Sequence, residues 1–322
     1  MVRRSPAPTT AQSWPKVSLL PGGFLTLPEH FFCDDQHDKD VPSMSFLVQH
    51  PTGHNIVFDL GLRKIWQDYS PEIKSHITKR LPIEKSPDVS DCLRFGGLDS
   101  SRIDTVILSH VHYDHVGTPA DFTKACFIVG HGTRQLLQHG MRYHSAAKFE
   151  KDLLPSDRII ELPAPPRKLA DDEIEAGEDY PATRGLSSHI EGSNPSWKQF
   201  RTLKNAIDLF GDGSIYVIDS PGHIIGHLNL LVRVAQSQWV YLAGDACHSP
   251  RILSGEAGMA TWNENGMEVC IHVDKEMAMS TLRDIQSLRE NGLDSGAVEV
   301  VLAHDPDWFR ANQAAIWPSH FL

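Results

Sequence analysis

The string His110-Val111-His112-Tyr113-Asp114-His115 constrains this chain more than any other feature of its 322 residues. It begins at the end of IDTVILSH (Ile103 to His110), an apolar run that reads as a strand covered on both faces. Three imidazoles and a carboxylate at the end of such a strand are costly to desolvate unless a cation offsets them. Imidazole and carboxylate are also the side chains that hold zinc and related divalent metals. The bland alternative is a polar loop in solvent, which gives no reason for four such groups to gather there.

Three further metal-type residues each close a predicted strand. His223 lies in SPGHIIGH after SIYVID, Asp245 in LAGD after WVYL, and His304 in LAHD after VEVV. Singly, each is an ordinary hydrogen-bonded histidine or a turn. Together with HxHxDH they make seven candidate ligands, His110, His112, Asp114, His115, His223, Asp245 and His304, arriving from four strand ends at one edge. Around them, SFLVQH and NIVFDLG read as a hairpin, CFIVG as a strand followed by a helix over Thr133 to His139, and Asp212-Gly213 as a second hairpin turn. LNLLVRV and WVYLAGDA are further strands, MAMSTLRDIQSLRE is a helix, and VEVVLAHD is the final strand. Such alternation predicts an α/β layered fold.

No Gly/Ser linker divides the chain, so the expectation is a tail over residues 1–16 and one domain over 17–322. MVRRSPAPTTAQSWP has no apolar run behind its arginines and reads as a disordered tail rather than a secretory signal. No stretch approaches the roughly 20 apolar residues of a spanning helix, so neither a membrane nor an exported location is expected, and the cytoplasm is. The five cysteines are widely spaced without a CxxC, which suits a reducing compartment. Lys plus Arg is 30 against 41 for Asp plus Glu, a net charge of −11 that disfavours nucleic acid as a partner. Residues 163–200 are polar, acidic and Pro-rich and read as an insertion or lid. Tyr180, Ile190, Trp197 and Phe200 within it would supply apolar surface for an acyl chain, or a homodimer contact.

HVHYDH, PGHIIGH, AGD and the late AHD, in that order, resemble the motif series of the metallo-β-lactamase superfamily, and NIVFDLG resembles its early strand. The resemblance runs from about residue 17 to 310. It implies a four-layer αβ/βα sandwich, two mixed sheets between outer helices, with a dinuclear metal site on one edge. Carried over by position, one metal is held by His110, His112 and His223 and the other by Asp114, His115 and His304, with Asp245 bridging. Asp59 hydrogen-bonds ligands without touching metal, and His227 is structural. Two divalent ions are implied, zinc by default, with iron and manganese also suited to these ligands.

From Asp245 onward the spacing resembles the quorum-quenching lactonases, a branch that opens N-acyl-homoserine lactones. The implied reaction is the opening of such a ring, or of another hydrophobic lactone, by a metal-bridging hydroxide. Asp114, Asp245 and His248 are the implied catalytic side chains, Asp114 accepting the water proton. That branch often carries a tyrosine three residues after the bridging Asp, where this chain has His248. A histidine there can donate a hydrogen bond or act as general acid; the other reading is a helix cap. Arg251 and Trp262 are candidate substrate contacts, and Met259 and Met267 line an acyl channel or, by default, pack in the core or rim. The competing activity is a thioesterase of the glyoxalase II or polyketide-releasing type. A non-catalytic metalloprotein is opposed by the complete ligand set, and a nuclease by the acidity.

Overall fold

The computed structural model describes residues 13–33, 38–81, 87–141, 144–150, 152, 154–168, 174–175, 196–264 and 266–321. The expected tail falls outside these up to residue 12, and the first strand, Lys16–Pro28, begins one residue before the predicted start. Tyr180 and Ile190 also lie outside the described residues.

The predicted hairpin is present. Strand Asp38–Gln49 runs antiparallel to Asn55–Phe58, with Phe46 opposite Phe58 and Val48 opposite Ile56. Alternation then assigns faces. Phe46, Val48, Ile56 and Phe58 join a core with Leu228, Leu230, Val232 and Leu242 from the second half of the chain, while Leu47 and Val57 point the other way. That second half repeats the pattern, for Leu231, Trp239 and Tyr241 leave the shared core and meet a helix.

Two six-stranded sheets result. The first has the order Lys16–Pro28, Asp38–Gln49, Asn55–Phe58, Thr105–Ile107, Cys126–Val129, Ile159–Glu161. Its first three strands are antiparallel and the rest parallel. The second has the order Lys198–Phe200, Leu203–Asp208, Ile215–Asp219, Leu228–Ala235, Gln238–Leu242, Ala297–Val301, with the last pair parallel. Helix Lys275–Asn291 covers the second sheet through Ala278, Leu282, Ile285 and Leu288, and the Asp274 side chain caps its first turn by accepting from the Met277 N–H. Helices Val89–Phe95 and Thr133–His139 cover the first sheet through Leu93, Leu136 and Leu137. This is the αβ/βα sandwich.

Two sequence expectations are corrected. The strand predicted from Ile103 to His110 is limited to Thr105–Ile107. The reason is local: the Ser109 N–H bonds the Asp59 carboxylate at 2.6 Å instead of a neighbouring strand, so the chain leaves the sheet and turns. Trp197 and Phe200 are structural rather than lid residues. Trp197 donates to the Pro163 carbonyl at 2.8 Å, and Phe200 ends an edge strand with its ring stacked 4.3 Å from Tyr216.

The strands Asn55–Phe58, Thr105–Ile107, Gln238–Leu242 and Ala297–Val301 all end at one edge, and the loops leaving them are laced across the two sheets. Leu228 N donates to Ser109 O at 2.7 Å, Met44 N to Ala303 O at 3.0 Å, and Ala303 N to Gly244 O at 3.1 Å. Gly244 has φ +48°, and a Cβ there would stand 2.9 Å from Ser109 Cβ and 3.0 Å from His227 Nε2, so only glycine fits this crossing. No helix among the described residues is long and apolar enough to cross a membrane.

Candidate metal centre

After the Thr105–Ile107 strand, His112 stands in extended backbone and Tyr113–Val116 makes one helical turn. That turn separates the motif into two groups. His110 and His112 go with His223, whereas Asp114 and His115 go with His304. Within the first, His110 Nε2 is 2.8 Å from His112 Nδ1, which is 3.1 Å from His223 Nε2. Nitrogens around one tetrahedral zinc, each at about 2.0–2.1 Å, stand roughly 3.3 Å apart. In the second, His304 Nε2 is 3.6 Å from Asp114 Oδ2.

Asp245 joins the groups. Its Oδ2 lies 3.7 Å from His110 Nε2 and 3.5 Å from His223 Nε2, while its Oδ1 lies 3.3 Å from both His115 Nε2 and His304 Nε2. One carboxylate oxygen therefore faces each group.

Hydrogen bonds behind the rings set which nitrogen faces inward. His304 Nδ1 bonds the Pro42 carbonyl at 2.8 Å, and a carbonyl only accepts, so the proton is on Nδ1 and the Nε2 lone pair points to Asp245. His115 Nδ1 bonds Asp59 Oδ2 at 2.9 Å to the same effect. Asp59, at φ +60°, also accepts from Ser109 Oγ at 2.7 Å. His115 Nε2 and Asp245 Oδ1 are both buried and make no hydrogen bond among the described residues. Two buried lone-pair atoms facing one another at 3.3 Å repel unless a proton or a cation sits between them. The donor set thus fits divalent cations, with imidazole and carboxylate as the ligands.

The electrostatics separate the two groups in the same way. Burial pushes His110 and His223 well below the usual histidine range, and neighbouring imidazoles add to this. Burial also opposes charge on His115 and His304, but the Asp245 carboxylate, with Asp59 or Asp114, outweighs it and raises both. Asp245 is itself held well below the carboxylate range, because His115, His304 and His248 overcome its burial.

All seven sequence candidates are brought together here. His248 is beside them, with Nε2 3.0 Å from Asp245 Oδ2. It is not the helix cap, for Ser249 caps the turn Pro250–Leu253 by accepting from Arg251 N. His227 is buried behind the site, donating from Nδ1 to the Ser220 carbonyl at 3.0 Å and accepting the Asp245 N–H on Nε2 at 3.1 Å. A cavity of about 310 Å³ opens over the centre and exposes His112, Asp114, His223, Asp245, His248 and His304. Its walls include Leu27, Phe31, Ile73, Tyr113, Trp262 and Ile271. Of the other candidates, Trp262 lines the cavity and Arg251 does not; Met259 is buried in the core and Met267 is exposed on the Trp262–Glu264/Met267–Val269 hairpin.

Sequence reasoning missed His272. Its ring forms a triangle with His223 and His248, with centroids 5.1 to 5.3 Å apart. It also missed Phe31, His76, Arg80 and Lys148 on the cavity wall. None of these sits in a local pattern, and no signal short of the fold would have found them.

The family profile of the metallo-beta-lactamase superfamily matches residues 38–196, so the chain carries a domain of that superfamily. A crystal structure of an AiiA variant from B. thuringiensis, with N-decanoyl-L-homoserine bound at the active site, superposes with a TM-score of 0.62 over 96% of this chain and 100% of that one. At 16% identity that likeness is one of fold. The metallo-hydrolase mfmC of Annulohypoxylon moriforme is 32% identical over 220 residues, 66% of this chain and 50% of that protein. The N-acyl homoserine lactonase AttM of Rhizobium johnstonii is 24% identical over 271 residues, 84% of each chain. The chain spans half or less of the length of several curated relatives that it matches.

Proposed function

We propose that this chain is a metal-dependent hydrolase that opens a lactone ring. Two divalent cations, zinc by preference, are held by His110, His112 and His223 and by Asp114, His115 and His304, with Asp245 between them. The observation that carries the reading is Asp245, whose two oxygens each face one donor group on the floor of a single cavity. The AttM and AiiA likenesses support a lactone as substrate.

When bound, such cations polarise an acyl oxygen and make water acidic enough to attack near neutral pH. The chain's own groups supply the rest. The Asp114 carboxylate, open to the cavity, accepts the proton lost by the attacking water. As the ring C–O bond breaks, that proton passes to the leaving alkoxide. His248 faces the same space, and its Nε2–H, which bonds Asp245 Oδ2, is the donor it shares with the acyl or leaving oxygen. Leu27, Phe31, Ile73, Trp262 and Ile271 hold an apolar acyl arm and exclude bulk water.

The test is a paired hydrolysis assay on metal-replete and chelated protein, with N-acyl-homoserine lactones and simple γ- and δ-lactones in one arm and acyl thioesters in the other. Metal-dependent lactone opening with little thioester cleavage is expected. Preference for thioesters would replace the reading by the thioesterase one.

A further inference from the structure

Arg80 lines the cavity but belongs to none of the donor groups. It ends the short turn Thr78–Arg80, which follows helix Pro71–Ile77. Its guanidinium carbon lies 5.5 Å from the centre of the Phe31 ring, and Phe31 meets Trp262 edge-on with ring centres 5.0 Å apart. The Arg80 Nε is buried and has no hydrogen-bond partner among the described residues.

A buried guanidinium N–H is a group that proteins normally satisfy. Here the guanidinium lies over an aromatic face, a contact that steadies it without using its N–H donors. The fork of donors matches a carboxylate, and one guanidinium matches that group's single charge. Lys148, exposed on the lining of the same cavity, adds a second positive charge, against one negative charge from the exposed Glu264. The same lining carries the apolar side chains Ile73, Phe31 and Trp262.

We propose that Arg80 forms a carboxylate-binding subsite, so that the favoured substrates carry a carboxylate at the end remote from the reacting carbonyl. An apolar or aromatic stretch on Phe31 and Trp262 joins the two ends. This rests on the hydrolase reading for the position of the scissile bond, and it adds no covalent step.

The test compares N-acyl-homoserine lactones of matched length, roughly six to ten carbons, ending either in methyl or in carboxylate. Three proteins are measured: the unaltered chain, Arg80→Met, which keeps an unbranched stem, and Arg80→Lys, which keeps the charge but loses the fork. At the favoured length the unaltered chain prefers the carboxylate probe. Arg80→Met lowers kcat/KM for that probe by roughly ten- to a hundredfold and for the methyl probe by less than about threefold, with Arg80→Lys intermediate. Equal changes on both probes, or no preference at any length, overturn the proposal. If no lactone is opened, the hydrolase reading fails and the subsite is judged by calorimetry on metal-loaded protein, with suberate against octanoate. Tighter suberate binding that Arg80→Met abolishes upholds the subsite, and equal binding removes it.

Discussion

Asp59 offers a sharp test of how the centre is held, because it touches no substrate and faces no cavity. It accepts three hydrogen bonds: from Ser109 N at 2.6 Å, Ser109 Oγ at 2.7 Å and His115 Nδ1 at 2.9 Å. Asp59→Asn keeps the shape and replaces one acceptor by a donor. The Ser109 N–H is fixed backbone, so the amide oxygen must face it and the amide nitrogen must face His115. His115 then moves its proton to Nε2, and the lone pair aimed toward Asp245 Oδ1 is lost. Loss of such a supporting partner costs roughly ten- to a hundredfold in metal affinity, about 1.4–2.7 kcal/mol. The assay is competition for zinc with a chromophoric chelator. One equivalent should bind as in the unaltered chain and the other more weakly by that factor. If both equivalents of a folded Asp59→Asn protein titrate unchanged, the argument that Asp59 sets the His115 tautomer is wrong.

Two further outcomes are expected. Burial lowers the His227 pKa to about 4, and the unfolded chain takes up that proton first, near pH 6.5. Stability of the metal-free protein should therefore fall as pH drops through this window. His227 contributes roughly 3 kcal/mol of that loss, seen as a shallower pH dependence of denaturant unfolding in His227→Gln; identical dependence in both proteins would refute it. On the proposed mechanism, His248→Ala should lower kcat for lactone opening by roughly a hundredfold or more while two metals still bind. Steady-state kinetics with metal analysis decide this, and an undiminished kcat removes His248 from the reaction.

The site was legible in the sequence because its ligands concentrate where apolar strands end, and a strand end is where the chain cannot hide a carboxylate or imidazole without a partner. His110 to His115 carry that signal in six residues, and Asp245 and His304 follow runs that read as strands. The layered fold was legible from the same runs. His272 was not, because it becomes a neighbour of His223 only through Val273 N bonding His223 O at 2.9 Å and Asp274 N bonding Gly222 O at 2.9 Å. Arg80 and Phe31 meet over a separation in sequence that no local pattern spans. Phe200 was misread because a three-residue edge strand is too short to show a period, and an aromatic beside a polar Pro-rich stretch looks like a lid.

The central claim is that Asp245 joins two cation sites that act together on one lactone. Zinc added stepwise to metal-free protein, with lactone opening and bound metal followed at each step, tests it most directly. The account predicts that activity rises to a plateau at about two equivalents and that Asp245→Asn, still folded, shows little activity at any loading. Full activity at one equivalent, or undiminished activity in excess chelator, would contradict it.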